Sequence, residues 1–223
     1  MADTEGPSWC IGVHPVMTVG LDAAVVEDDL RSGRVGCPWV GCGACLGPWC
    51  WARERLVRGA GRLLPRRGRC RGCGKTQVLL PASVLLRRAD AAAVIGLALL
   101  AKALGVGHRP IAVLLDVPAS TVRGWLRRIV SVADRVLAVL ADAAAQLGAE
   151  FTPPAPTADP VAGVVEMLGA LAASMARRLG GSCSTWHLAA VLTGGRLLAA
   201  ASPELVLGSP LARNTNSLWA AGP

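Results

Sequence analysis

Three features of this sequence predict a mainly α fold, in which a small cysteine-stapled ribbon precedes a three-helix bundle and a helical C-terminal region. Six of the eight cysteines fall between residues 37 and 73, in a stretch poor in apolar side chains that needs a staple to fold. From residue 83 onward, apolar residues recur at the spacing of helices. A segment with four prolines in ten positions, "FTPPAPTADP" at 151–160, then separates that helical stretch from a second one.

The first 34 residues are polar and acidic, and form a lead-in. A short helix is expected in "GLDAAVVEDDLRSG", with Leu21, Val25 and Leu30 sharing a face. Residues 35–80 carry Gly, Pro, Cys and Arg with short β-like pieces, "GRLLP" and "TQVLLP", and no helical period. Within 83–147, Ala91, Val94, Ile95, Ala98 and Leu99 mark a helix that stops at "GVG". A second helix fits 109–115, with Pro110 in its first turn. After "DVP" a longer helix carries the stripe Val122, Trp125, Leu126, Ile129, Val132, Val136 and Leu140. Residues 148–160 read as a proline-rich linker, and 161–223 as apolar helices with a loose tail and no recognisable site.

Charge is distributed unevenly. Residues 1–52 are net −4, residues 53–135 net +13 and residues 136–223 net −1, so the whole excess of +8 lies in the middle. Such a block attracts a polyanion, either nucleic acid or an anionic membrane surface. The apolar run 91–101 stops at Lys102, and the later ones are broken by Glu166 and Arg196. Since a span needs about 20 predominantly apolar residues, no membrane association is expected. The acidic start lacks the basic region of a secretory signal, so the expected location is cytoplasmic, where cysteines serve as metal ligands or plain thiols rather than disulfides.

Thiolate pairs two to four residues apart let one tight turn offer two sulfurs to a tetrahedral zinc ion, and two such turns complete a four-cysteine zinc ribbon. Cys70-Arg-Gly-Cys73-Gly supplies one half, its glycines permitting the turn. A redox dithiol would instead require a strand and a helix N-terminus around the pair. For the other half, spacing favours Cys42 and Cys45, with Cys37 and Cys42 looser but still within range. Cys50, between Trp49 and Trp51, reads as a packed thiol. Cys10 with His14, and Cys183 with His187, place a Cys/His pair on one helical face, but neither has further ligands nearby.

Residues 108–128, "HRPIAVLLDVPASTVRGWLRR", have the register of a helix-turn-helix. That motif needs a small residue where its helices cross, a turn residue tolerant of left-handed geometry, and apolar anchors on the second helix. Ala112, Asp116, and the trio Val117, Val122 and Trp125 fill these roles. The outward face of the second helix then presents Ser120, Thr121, Arg123, Gly124, Arg127 and Arg128. Hydroxyls and an open glycine let such a helix enter a major groove, and arginines four apart reach bases or phosphates. The bland alternative is a solvated basic face on an ordinary bundle. Arg66, Arg67, Arg69, Arg71 and Lys75 add expected phosphate contacts that position without choosing sequence.

In this order, "CPWVGCGACLGPWCWARERLVRG", "LLPRRGRCRGCGKTQVLLPASVLLRRADAAAVIG" and "GHRPIAVLLDVPASTVRGWLRR" resemble a family of actinobacterial zinc-ribbon/helix-turn-helix proteins. They are similar, more distantly, to the DNA-binding regions of insertion-sequence transposases and their accessory proteins. The resemblance covers about residues 21–135. It implies Cys37, Cys42, Cys70 and Cys73 as the metal ligands, because the interval from Cys42 to Trp49 matches the family's. Two extra residues between Cys37 and Cys42 keep Cys45 as the substitute.

The expectation is thus a non-enzymatic, zinc-containing protein that binds double-stranded DNA, as a transposon-associated accessory factor or a transcriptional regulator. It has no cluster of carboxylates for nuclease chemistry. A transposase or recombinase is the implied protein partner, and a homodimer stays open. The alternative is a zinc-dependent interaction module that assembles with such an enzyme through its C-terminal helices.

Overall fold

The structure, a computed structural model, describes residues 16–39, 41–148 and 151–199. The expected Cys10/His14 pair and the C-terminal tail lie outside these residues. In order, the elements are β1 (Val16–Val19), α1 (Ala23–Arg31), β2 (Leu46–Trp51), β3 (Arg55–Val57), β4 (Gly61–Leu63), β5 (Arg66–Cys70), β6 (Thr76–Pro81), α2 (Ala92–Ala103), α3 (His108–Leu115), α4 (Ala119–Leu147), α5 (Pro160–Leu179) and α6 (Thr185–Leu192).

This corrects the mainly α expectation. The front of the chain is a mixed four-stranded sheet in the order β1-β6-β5-β2, and the helical part is not a separate three-helix bundle. Antiparallel pairing joins β2 to β5 and β5 to β6, while β1 runs parallel to β6, with Val16 opposite Val78. The acidic lead-in is therefore part of the sheet, because "VMTV" is a β-branched run that pairs far along the chain. Asp22 caps α1, its Oδ1 accepting from the N–H of Ala24. This helix covers one sheet face with Val26 and Leu30, whereas Leu21 lies outside the helix and is exposed. Gly68 permits that contact, since a Cβ there would lie 3.2 Å from both Leu30 and Leu46.

The helices α2 to α6 bury one continuous core running from Ala82 to Leu198. The stripe on α4 continues past Leu140 to Ala143 and Ala144, and that second half needs cover. Val161, Val164, Leu168 and Leu171 of α5 provide it. Asp159 caps α5 and Pro160 opens it, so the proline-rich segment also sets the helix start. By length and composition α5 could cross a membrane, yet this apolar face is packed inside the core. Trp186 of α6 lies flat on Gly96 of α2, where an added Cβ would fall 1.9 Å from the indole.

A small seam joins sheet and helices. Val57, Leu80, Val84 and Ala91 are buried together, the Arg58 N–H donates to Ala89, and the Ala91 N–H donates to Arg58. The Arg58 guanidinium pairs with the buried Asp90 at 3.2 Å. On the far side, the Leu86 N–H donates to Gly195 and the Arg88 guanidinium to the Leu198 carbonyl. The C-terminal segment is thereby tied to the loop before α2.

Candidate metal centre and basic helix face

Four thiols meet at one end of the sheet. Cys37, Cys42, Cys70 and Cys73 place their sulfurs within 4.8 Å of one another, an arrangement that could hold a metal ion. The Cys37 and Cys73 sulfurs are 3.8 Å apart and those of Cys42 and Cys70 3.5 Å apart. Tetrahedral coordination with zinc–sulfur bonds of about 2.3 Å sets sulfurs about 3.8 Å apart. A disulfide needs about 2.05 Å, and the seven described cysteines are all free thiols. The donor set is purely thiolate, which suits zinc or iron and not calcium or magnesium.

Local backbone geometry explains why these four converge. The Cys42 N–H donates to the Trp39 carbonyl and the Cys37 N–H to Ala44, closing the first turn around the left-handed glycines Gly41 and Gly43. The second turn closes from Gly74 N–H to Cys70 O, while the N–H groups of Gly72 and Cys73 both donate to the Cys70 sulfur at 3.4 Å. Gly72 is required, because a Cβ there would sit 2.7 Å from Ala44 of the opposite turn.

Cys45 stands outside the group. Leu46 next to it points into the ribbon core, so Cys45 turns the other way and packs its sulfur against Gly33. Cys50 lies on β2, also apart from the four.

Burial pushes the Cys37 thiol up to about 12. Burial also opposes ionisation of Cys70, but the N–H groups of Cys73 and Gly72, with the Cys42 and Cys73 thiols, outweigh it and hold Cys70 down at about 6. A metal ion held by these four sulfurs would favour their thiolate forms.

The five basic residues expected to contact phosphate divide into distinct roles. Arg66 is largely buried, donating to Glu27 at 2.7 Å and to the Cys50 carbonyl. That pairing, through its hydrogen bond first, holds the Glu27 carboxyl below its usual range. Arg71 reaches across Gly47 to the Leu30 and Arg31 carbonyls at the C-terminus of α1, where a cation also offsets the helix dipole. Arg67 is half-buried, with its Nε buried and unpartnered among the described residues. Arg69 and Lys75 are exposed, stacked on Trp49 at 4.7 Å and on Trp39 at 3.5 Å.

At the helices, Asp116 adopts left-handed geometry (φ 50, ψ 50) between α3 and α4. Ala112 is buried beside it, and Val117, Val122 and Trp125 are buried in the shared core. Pro118 occupies the N-cap position of α4 without a side-chain hydrogen bond. Ser120, Arg123, Gly124, Arg127 and Arg128 are exposed on one face of α4, with Thr121 half-exposed at its margin. No carboxylate pairs with these three arginines among the described residues, and a Cβ at Gly124 would meet open space. Arg128 also lies close enough to Arg88 for the two cations to repel.

Sequence reasoning did not single out the pairing of the acidic lead-in with the ribbon, in which Arg66 binds Glu27. Its signal was the opposite net charge of the two neighbouring stretches. Cys183 and His187 lie on and beside α6 with no further ligands around them among the described residues, and burial moves the Cys183 thiol up to about 11 and His187 down. No known protein family, curated protein or solved structure matches this chain.

Proposed function

We propose that this chain is a zinc-containing, helix-turn-helix DNA-binding protein, serving as a transposon-associated accessory factor or a transcriptional regulator. The observation that carries this reading is the N-terminal half of α4, where five exposed polar or glycine positions form one face without a carboxylate to neutralise its arginines. In the ribbon stretch Arg58, Arg62 and Arg66 pair with carboxylates, whereas Arg123, Arg127 and Arg128 pair with none among the described residues. Ser120 and Gly124 keep the face low enough to enter a major groove, where Arg123 and Arg127 reach base edges or phosphates. Arg69 and Lys75 supply positioning contacts from the ribbon.

Zinc is the ion proposed for the four thiols, as a structural staple: the site is closed by four protein ligands, leaving no open position for chemistry. The alternative, a module that grips a recombinase through its C-terminal helices, loses its main support because the apolar faces of α5 and α6 are spent inside the core.

The test is fluorescence anisotropy with duplex DNA across a salt series. Affinity is expected to fall steeply as salt rises, and the double variant Arg123→Ala/Arg127→Ala to lose about 2 kcal/mol or more. Salt-insensitive binding, together with an unchanged double variant, refutes the reading.

A further inference from the structure

Two indoles on the ribbon have no role in its core. Trp49 and Trp51 are 53% and 54% exposed, and both lie on β2, the outermost strand of the sheet beside β5. The ladder register shifts between Pro48 and Trp51, the stretch that carries both indoles. Each is backed by an arginine from β5: Arg69 stacks on Trp49 at 4.7 Å and Arg66 on Trp51 at 4.8 Å. With one ring face under a guanidinium, the exposed half of each indole is its other face and edge.

Beside Trp49 lies an open cleft lined by Gly47, Pro48, Gly72, Gly74 and the candidate metal ligand Cys70, with Arg69 and Arg71 as its cations. Among the described residues no carboxylate lines it. The cleft therefore combines an aromatic wall with positive charge.

The geometry points to a second nucleic-acid site here, one that takes an unstacked base on Trp49 with its phosphate beside Arg69, and so engages single-stranded DNA at an end or an opened segment. A duplex hides its base faces and cannot use the indole, whereas a single strand offers both ring and phosphate. An acidic peptide would use the cations and leave the indole idle. This site lies away from the α4 face but shares Arg69 with the positioning contacts proposed for duplex DNA, so the indole, not the cation, is what distinguishes the two.

The measurement is anisotropy of the metal-loaded full chain with a labelled oligo-dT strand and, in parallel, with a closed hairpin duplex that has no free ends. Trp49→Ala is expected to weaken oligo-dT binding about tenfold, in the range for loss of one base–aromatic stack, while weakening hairpin affinity far less and leaving metal content unchanged. Trp49→Phe should restore most of the loss, since a ring face returns. Arg123→Ala/Arg127→Ala should show the opposite pattern, weakening the hairpin more than the single strand. Unchanged oligo-dT binding in Trp49→Ala overturns the proposal, as does an equal loss for both DNA forms. Thymidine monophosphate competing as well as the oligomer would assign the cleft to free nucleotides and overturn the strand reading. Equal competition by poly-glutamate would reduce the cleft to a general anion surface and overturn it too.

Discussion

Cys45 and Cys42 illustrate how far one residue's surroundings decide its chemistry. They form one of the sequence's two Cys-x2-Cys pairs, the other being Cys70 and Cys73, and spacing alone would join them around an ion. Leu46 must enter the ribbon core, and strand alternation then directs its neighbour Cys45 toward Gly33. Metal analysis of single serine variants should therefore show stoichiometric loss for Cys37, Cys42, Cys70 and Cys73, and full metal for Cys45→Ser. A Cys45→Ser protein that emerges metal-free would sink this ligand set. The Cys70/Cys73 half was legible because its glycines and two-residue spacing are local signals. The first half depends on which side of a strand each thiol occupies, and that is fixed by packing partners elsewhere in the chain. Asp116 was legible for the same local reason as Cys70: its left-handed turn follows from position within one motif. Of the ribbon cations, sequence reasoning could not tell Arg66, bound to Glu27, from the exposed Arg69, because the partner lies 39 residues away.

At the scale of elements, α2 against α6 shows a contact whose sign can be predicted. Alanine in place of a glycine inside a helix ordinarily adds about 0.5–1 kcal/mol of stability. At position 96 the new Cβ would overlap the Trp186 ring, and forced overpacking typically costs about 1–3 kcal/mol. Gly96→Ala should therefore lower the thermal midpoint, read by circular dichroism, although it raises helix propensity. A higher midpoint would mean that α6 does not seat on α2. The helices themselves were legible from apolar periodicity, down to the stripe of α4. The strand β1 was not: four residues carry no period, and its partner β6 is distant in sequence.

For the molecule as a whole, the core that runs from Ala82 to Leu198 makes the C-terminal helices part of the same body as the α3–α4 pair. A chain ending after residue 150 would uncover Val136, Leu140 and Ala143 on α4. Such a truncation should bind a hydrophobic dye and melt without cooperativity, and a sharp transition at the full-length temperature would refute the shared core. The proline-rich segment suggested a boundary because prolines interrupt periodicity, yet interruption of a helix says nothing about which faces meet afterwards.

The parallel pairing of Val16 with Val78 also bears on the order in which the chain can fold as it is made. On the ribosome β1 emerges first and has no neighbour until β6 follows, and Cys37 and Cys42 likewise wait for Cys70 and Cys73. Strand closure and ion capture thus become available within the same dozen residues of synthesis, residues 70–81. A nascent chain stalled before that point would present an unpaired strand and open thiols together, so, were the four thiols to hold a metal, its shortage would act during translation as well as on the finished protein.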